Sequence, residues 1–97
     1  MSVSISTHVL DTAQGAPARG VRVEILHGAS QLGAAETDAD GRIAALADGL
    51  DPGTYSLVFH PSSSYFTRVE LQVELGDGHH HIPLLVSPYG CVTYRGS

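Results

Sequence analysis

Lysine and tryptophan are missing from this 97-residue sequence, cysteine occurs once, and charged residues make up only 15% of the chain. With no lysine, the positive charge rests on Arg19, Arg22, Arg42, Arg68 and Arg95, set against ten acidic groups for a net charge of −5. That balance argues against nucleic-acid binding through a basic patch. An all-arginine set instead suits planar anions, because guanidinium offers a rigid fork of donors. The single cysteine, Cys91, cannot form an internal disulfide and fits a reducing compartment. No stretch approaches the roughly 18 apolar residues of a spanning helix, so no membrane association is expected. The first residues, MSVSISTHVLD, carry neither a basic segment nor a continuous apolar one, so no signal peptide is expected and a cytoplasmic location is. Against a typical charge content of about 25%, the low value here leaves less surface that must face water, which favours a subunit interface.

What the chain does have is alternation. Residues 2–10 (SVSISTHVL) and 21–26 (VRVEIL) place apolar and polar side chains on opposite faces, as half-buried strands do. Further strands are expected at 30–38, 53–60, 68–75, 82–87 and 90–95. Asp40-Gly41 marks a turn within DADGRI (38–43). Residues 43–50, IAALADGL, offer at most one short turn of helix, stopped by Gly49 and Pro52. Pro83 cannot donate to a ladder and needs an edge position or a bulge. Seven or eight short strands separated by turns predict an all-β fold, a two-sheet antiparallel sandwich, with residues 1–97 as one domain.

The polar residues that could carry chemistry are scattered. In an extended strand, His79 and His81 point one way and His80 the other. His79 and His81 could form a two-point metal grip, but zinc takes three or four protein ligands, and no cysteine pair or HExxH motif assists. The plain alternative for His79 and His80 is a solvated turn after Gly76-Asp77-Gly78, whereas His81 joins the apolar strand and should be fixed. His8 shares a face with Ser6 and Leu10, either as a surface histidine or as part of a site. Arg42 follows a turn and is either solvated or aimed into a cleft. Two imidazoles, an arginine and a terminal hydroxyl or carboxylate at Ser97 suffice to open a cyclic amide with water. One imidazole acts as general base and the guanidinium stabilises the developing oxyanion, with no metal or other cofactor needed.

Three stretches together resemble a known family: ISTHVLDTAQGAPARGVRVEI (5–25), TDADGRI (37–43) and HHHIPLLVSPYGCVTYRGS (79–97). They are similar to the transthyretin-like 5-hydroxyisourate hydrolases, and the similarity runs through most of the chain. The closing Tyr94-Arg95-Gly96-Ser97 is its most specific part. The carrier transthyretin shares the fold but lacks the histidines and this ending, so the motif favours the enzyme over a non-catalytic binding sandwich. The resemblance implies a β-sandwich assembled as a homotetramer, a dimer of dimers, with sites in the channel where dimers meet. It implies hydrolysis of 5-hydroxyisourate, a product of urate oxidation, to a ring-opened carboxylate. It assigns His8, Arg42, His81 and Ser97 to catalysis, with Arg42, Tyr94, Arg95 and Ser97 against the substrate. Departures are Cys91-Val92 where Tyr-Ser is usual, His80 where an aromatic is common, and a segment before residue 69 about ten residues short. The short helix normally carried there should be absent or reduced to a turn, and Cys91 should be a buried, inert thiol.

Overall fold

The computed structural model describes residues 2–96, and among them every regular element is a strand. In chain order these are β1 (Val3–Asp11), β2 (Ala16–Pro17), β3 (Arg22–His27), β4 (Ser30–Glu36), β5 (Arg42–Leu50), β6 (Gly53–His60), β7 (Val69–Leu75), β8 (Gly78–Val86) and β9 (Cys91–Thr93). One sheet runs β2-β1-β8-β9, with β5 also paired to β1, and the other runs β4-β3-β6-β7. The two-sheet sandwich expected from the alternation is present, and the described residues form nine strands because β2 and β5 add to the seven segments read as strands.

The inward faces follow from period two. Val3, Ile5 and Val9 of β1 meet Ile82, Leu84 and Val86 of β8, and across the sandwich stand Val23, Ile25, Tyr55, Leu57 and Phe59. Ile5, Ile25, Leu57, Phe59 and Leu84 are fully enclosed. Each such side chain contributes roughly 1.5–3 kcal/mol of burial free energy, the main term holding the sheets together. The outward faces of β1 and β8 then carry Ser4, Ser6, His8, His79 and His81.

All pairings are antiparallel except β1–β8, which is parallel with an unbroken register from Val3↔Gly78 to Asp11↔Val86. A parallel pair needs a long crossover, and the chain between β1 and β8 supplies one by building the whole opposite sheet. Residues 43–50 are strand, not the turn of helix their spacing allowed. The pairing Thr7↔Ile43, Ile5↔Ala47, Val3↔Leu50 contains two register shifts. The extra residues taken up by those bulges put the inward positions three or four apart, which imitates a helical period. Pro83 lies in β8 between two neighbours, yet its pairing with β9 stops at Leu84↔Thr93. The Pro83 carbonyl accepts a bond from the Thr93 hydroxyl at 2.8 Å, so the proline sits where the ladder is already interrupted.

Residues 61–68 form no helix. The Ser63 hydroxyl accepts bonds from the amides of Tyr65 and Phe66, both at 3.2 Å, and closes a simple turn.

The 38–43 turn is tightly built. The Asp38 carboxylate accepts from the amides of Asp40 and Arg42, and Gly41 has φ +72° with its carbonyl accepting from Val9 N–H at 2.7 Å. A Cβ at residue 41 would lie 2.5 Å from the Val9 carbonyl oxygen. Gly41→Ala is therefore expected to cost about 1–3 kcal/mol in denaturant unfolding, and a loss below about 0.5 kcal/mol would contradict this account of the turn.

Candidate active site

Register decides what meets what. Antiparallel pairing sets Arg42 opposite His8, and parallel pairing sets Ser6 beside His81 and Ser4 beside His79. The tail after β9 returns along the other edge of β8, where Gly96 N–H donates to the His81 carbonyl at 2.8 Å. Residues from both ends of the chain and from its middle thus share one outer sheet face, away from the core.

His8 and His81 stand with ring centroids 6.5 Å apart and planes inclined by 43°. His8 is tied through Nε2 to the Asp40 carbonyl at 2.9 Å. A carbonyl only accepts, so Nε2 carries the hydrogen and Nδ1 holds the free lone pair of the neutral ring. His81 is held the other way round, its Nδ1 lying 2.8 Å from Ser6 Oγ, which leaves Nε2 as its unengaged nitrogen. The pair therefore offers one working nitrogen of each kind. Arg42 is exposed, and its backbone is locked to Asp38 in both directions.

The electrostatics favour neutral His81. Desolvation is the largest influence lowering its pKa below 6.5, followed by the electrostatic influence of His8, Arg42 and His79. A neutral ring at physiological pH can accept a proton. Asp38 is lowered chiefly by the hydrogen bond from the Arg42 amide, and also by the charges of Arg42 and His8, so it stays an anion bracing the turn.

The three consecutive histidines divide as strand geometry requires. His80 is buried on the inward face and donates from Nε2 to the Gly76 carbonyl at 2.8 Å. His79, on the site face, engages both ring nitrogens with hydroxyls: Nδ1 with Ser4 Oγ at 2.7 Å and Nε2 with Ser6 Oγ at 2.8 Å. Among the described residues no three His, Cys, Asp or Glu side chains are grouped to hold a metal ion. Tyr94 and Arg95 line a cavity of about 510 Å3 with residues 70–75, His80 and Ile82 at the β7–β8 edge, so within one chain they do not join the histidine group. Ser97 lies outside the described residues. Cys91 is half-buried and unpaired, and burial raises its thiol pKa, which suits an inert role.

Two participants were given no role by the sequence. Ser6 reads as one more outward polar residue until β8 is laid beside it. Gly96 is packed so closely that a Cβ there would lie 2.7 Å from His81 Cδ2 and 2.9 Å from its carbonyl oxygen. Only glycine lets the tail run against the imidazole.

A family model described as the HIUase/Transthyretin family matches residues 5–96. The chain is 39% identical over 114 residues to 5-hydroxyisourate hydrolase 2 of Rhizobium meliloti (strain 1021), covering 96% of this chain and 95% of that one. The solved structure of Klebsiella pneumoniae 5-hydroxyisourate hydrolase is similar with a TM-score of 0.90 and 38% identity, covering 97% of this chain and 99% of the other. Transthyretin from Sparus aurata has a TM-score of 0.85 at 23% identity, over 95% of each chain, and shares the fold.

Two outcomes follow for His81. In an NMR titration it should protonate below 6.5, and its contribution makes the fold lose stability as pH falls from about 6.5 toward that lower folded value, because the unfolded chain then binds the extra proton. A His81 pKa above 6.5 contradicts the burial argument. Gly96→Ala should leave thermal stability nearly unchanged while shifting the His81 ring resonances; an undisturbed ring would show that the tail does not pack as described.

Proposed function

Because the chain belongs to the HIUase/transthyretin family, we propose that it hydrolyses 5-hydroxyisourate to the ring-opened ureido-imidazoline carboxylate in urate degradation. The observation that carries this reading is the meeting of His8, Arg42 and His81 on one sheet face, with His81 Nε2 and His8 Nδ1 both unengaged. Chains named 5-hydroxyisourate hydrolase, similar over nearly their whole length, support the same reading.

In the proposed reaction the Arg42 guanidinium holds the planar, anionic ring and stabilises the oxyanion that forms as water adds to the amide carbonyl. The two free ring nitrogens share removal of the proton from water and its delivery to the leaving nitrogen. A C–O bond forms, the ring C–N bond breaks, and the product leaves as a carboxylate. Ser97, and Tyr94 and Arg95 where another chain brings them near, are proposed to bind substrate.

We also propose a homotetramer, a dimer of dimers, with the site face at the interface between dimers. Leu10, Leu85 and Val92 are consecutive neighbours across β1, β8 and β9, on the same face as His8 and His81. Val92 is 58% exposed, and an apolar row beside a polar site is a surface that a second copy would cover.

The test generates 5-hydroxyisourate with urate oxidase and follows its decay spectrophotometrically. The protein should accelerate decay with or without chelator, and His81→Ala and Arg42→Ala should each lower kcat/KM by roughly 10²-fold or more. Wild-type rates in both variants would refute the site assignment, and loss of activity in chelator would refute the metal-free scheme. Light scattering on the purified protein should give the mass of four chains; a monomer at micromolar concentration refutes the assembly.

A further inference from the structure

Behind His81 runs an unbroken hydrogen-bonded line: His81 Nδ1 to Ser6 Oγ at 2.8 Å, Ser6 Oγ to His79 Nε2 at 2.8 Å, and His79 Nδ1 to Ser4 Oγ at 2.7 Å. Ser6 is buried while His79 is exposed, so the line leads from the site to its rim. Ser6 has one hydrogen to donate and faces an imidazole nitrogen on each side, so the state of one ring fixes the state of the other. If His81 carries its hydrogen on Nδ1, Ser6 accepts it and donates to His79 Nε2, and His79 Nδ1–H donates to Ser4. In that setting His81 Nε2 bears a lone pair and is a base. If the line is reversed, His81 Nε2 carries the hydrogen and is an acid.

We propose that Ser6 and His79 are positioning residues forming a proton relay that switches His81 between base and acid. The inference rests on the hydrolase reading above and adds two residues to it. When His81 Nε2 takes a proton from the attacking water, the Nδ1 proton passes to Ser6 and the Ser6 proton passes to His79 Nε2. The positive charge then sits on His79, and neutral His81 holds a donatable hydrogen on Nε2. Delivery of that hydrogen to the leaving nitrogen is accompanied by return of one proton from His79 through Ser6 to His81 Nδ1. Every proton is accounted for and both rings end as they began.

The surroundings supply the driving force. The charged and titratable groups facing His81 are His8 on β1, Arg42 on β5 and His79 on its own strand, and His8 in turn faces Asp38. A charge on His81 lies half-buried beside Arg42 and His8, whereas on His79 it lies in the exposed position.

His79→Gln keeps a hydrogen bond to Ser6 but cannot hold the charge, and circular dichroism checks that the variant is folded. In the urate-oxidase-coupled assay, kcat should fall at least about tenfold with KM within about twofold, below the roughly 10²–10⁴-fold owed to a general acid–base group itself. The acid limb of the pH–rate profile should move to lower pH, because the proton must then remain on half-buried His81 beside the Arg42 guanidinium. The direction is decisive. If His79 were only a charged neighbour, its removal would lift repulsion and move the limb to higher pH; if only a packing contact, the limb would stay. Either result, or an unchanged kcat, overturns the relay. A proton inventory in mixed water and D2O should be bowed for the wild type and linear for His79→Gln and Ser6→Ala. His81→Gln is run alongside. If it retains full activity, the hydrolase site itself is misassigned; if it is inactive while His79→Gln behaves as wild type, the relay alone fails.

Discussion

The parallel pairing of β1 with β8 is the constraint on which everything else in this molecule depends. Its nine-residue register puts Ile5 beside His80, Thr7 beside Ile82 and Val9 beside Leu84 on the core side. The same register puts Ser4, Ser6 and His8 beside His79, His81 and Pro83 on the other. A slip of one residue would turn every one of these side chains over. Core burial therefore fixes the site: the free energy that keeps the aliphatic faces inward also holds Ser6 against His81. β1 and β8 each bury one face in the core and carry the site imidazoles on the reverse side.

The site sets three imidazoles beside one guanidinium without a metal-ligand grouping among the described residues. His8, His79 and Arg42 all disfavour a charge on His81, and desolvation adds to them. Such a setting keeps one imidazole neutral and ready for a proton while leaving the guanidinium, whose charge does not titrate away, to meet an anion. The two histidines are oriented by different means, His8 by a backbone carbonyl in the 38–43 turn and His81 by a serine hydroxyl and the glycine tail. That asymmetry is what exposes Nδ1 of one ring and Nε2 of the other.

Much of this was legible beforehand. Alternation in 2–10, 21–26, 53–60 and 68–75 predicted strands that the structure contains, and the division of His79 and His81 from His80 followed from strand geometry alone. The two terminal motifs and the internal TDADGRI stretch pointed to His8, His81 and Arg42, which the fold brings to one face. Residues 43–50 misled because two bulges against β1 give strand residues a helix-like spacing, and bulges leave no mark in a single sequence. Ser6 could not be singled out because a serine on an outward strand face has no chemical meaning until its neighbour is known. Gly96 was visible as a motif residue, but its reason, contact with the His81 ring, exists only in three dimensions.

The sequence by itself determined the strands, their inward faces, the glycine turns and the set of polar residues available, because these follow from local sterics and from the period of two. Tertiary structure alone decided which of those polar residues meet. Residues 4–8, 38–42, 79–81 and 96 are distant along the chain, and only sheet register, set by the requirement to bury the opposite faces, brings them within hydrogen-bonding distance.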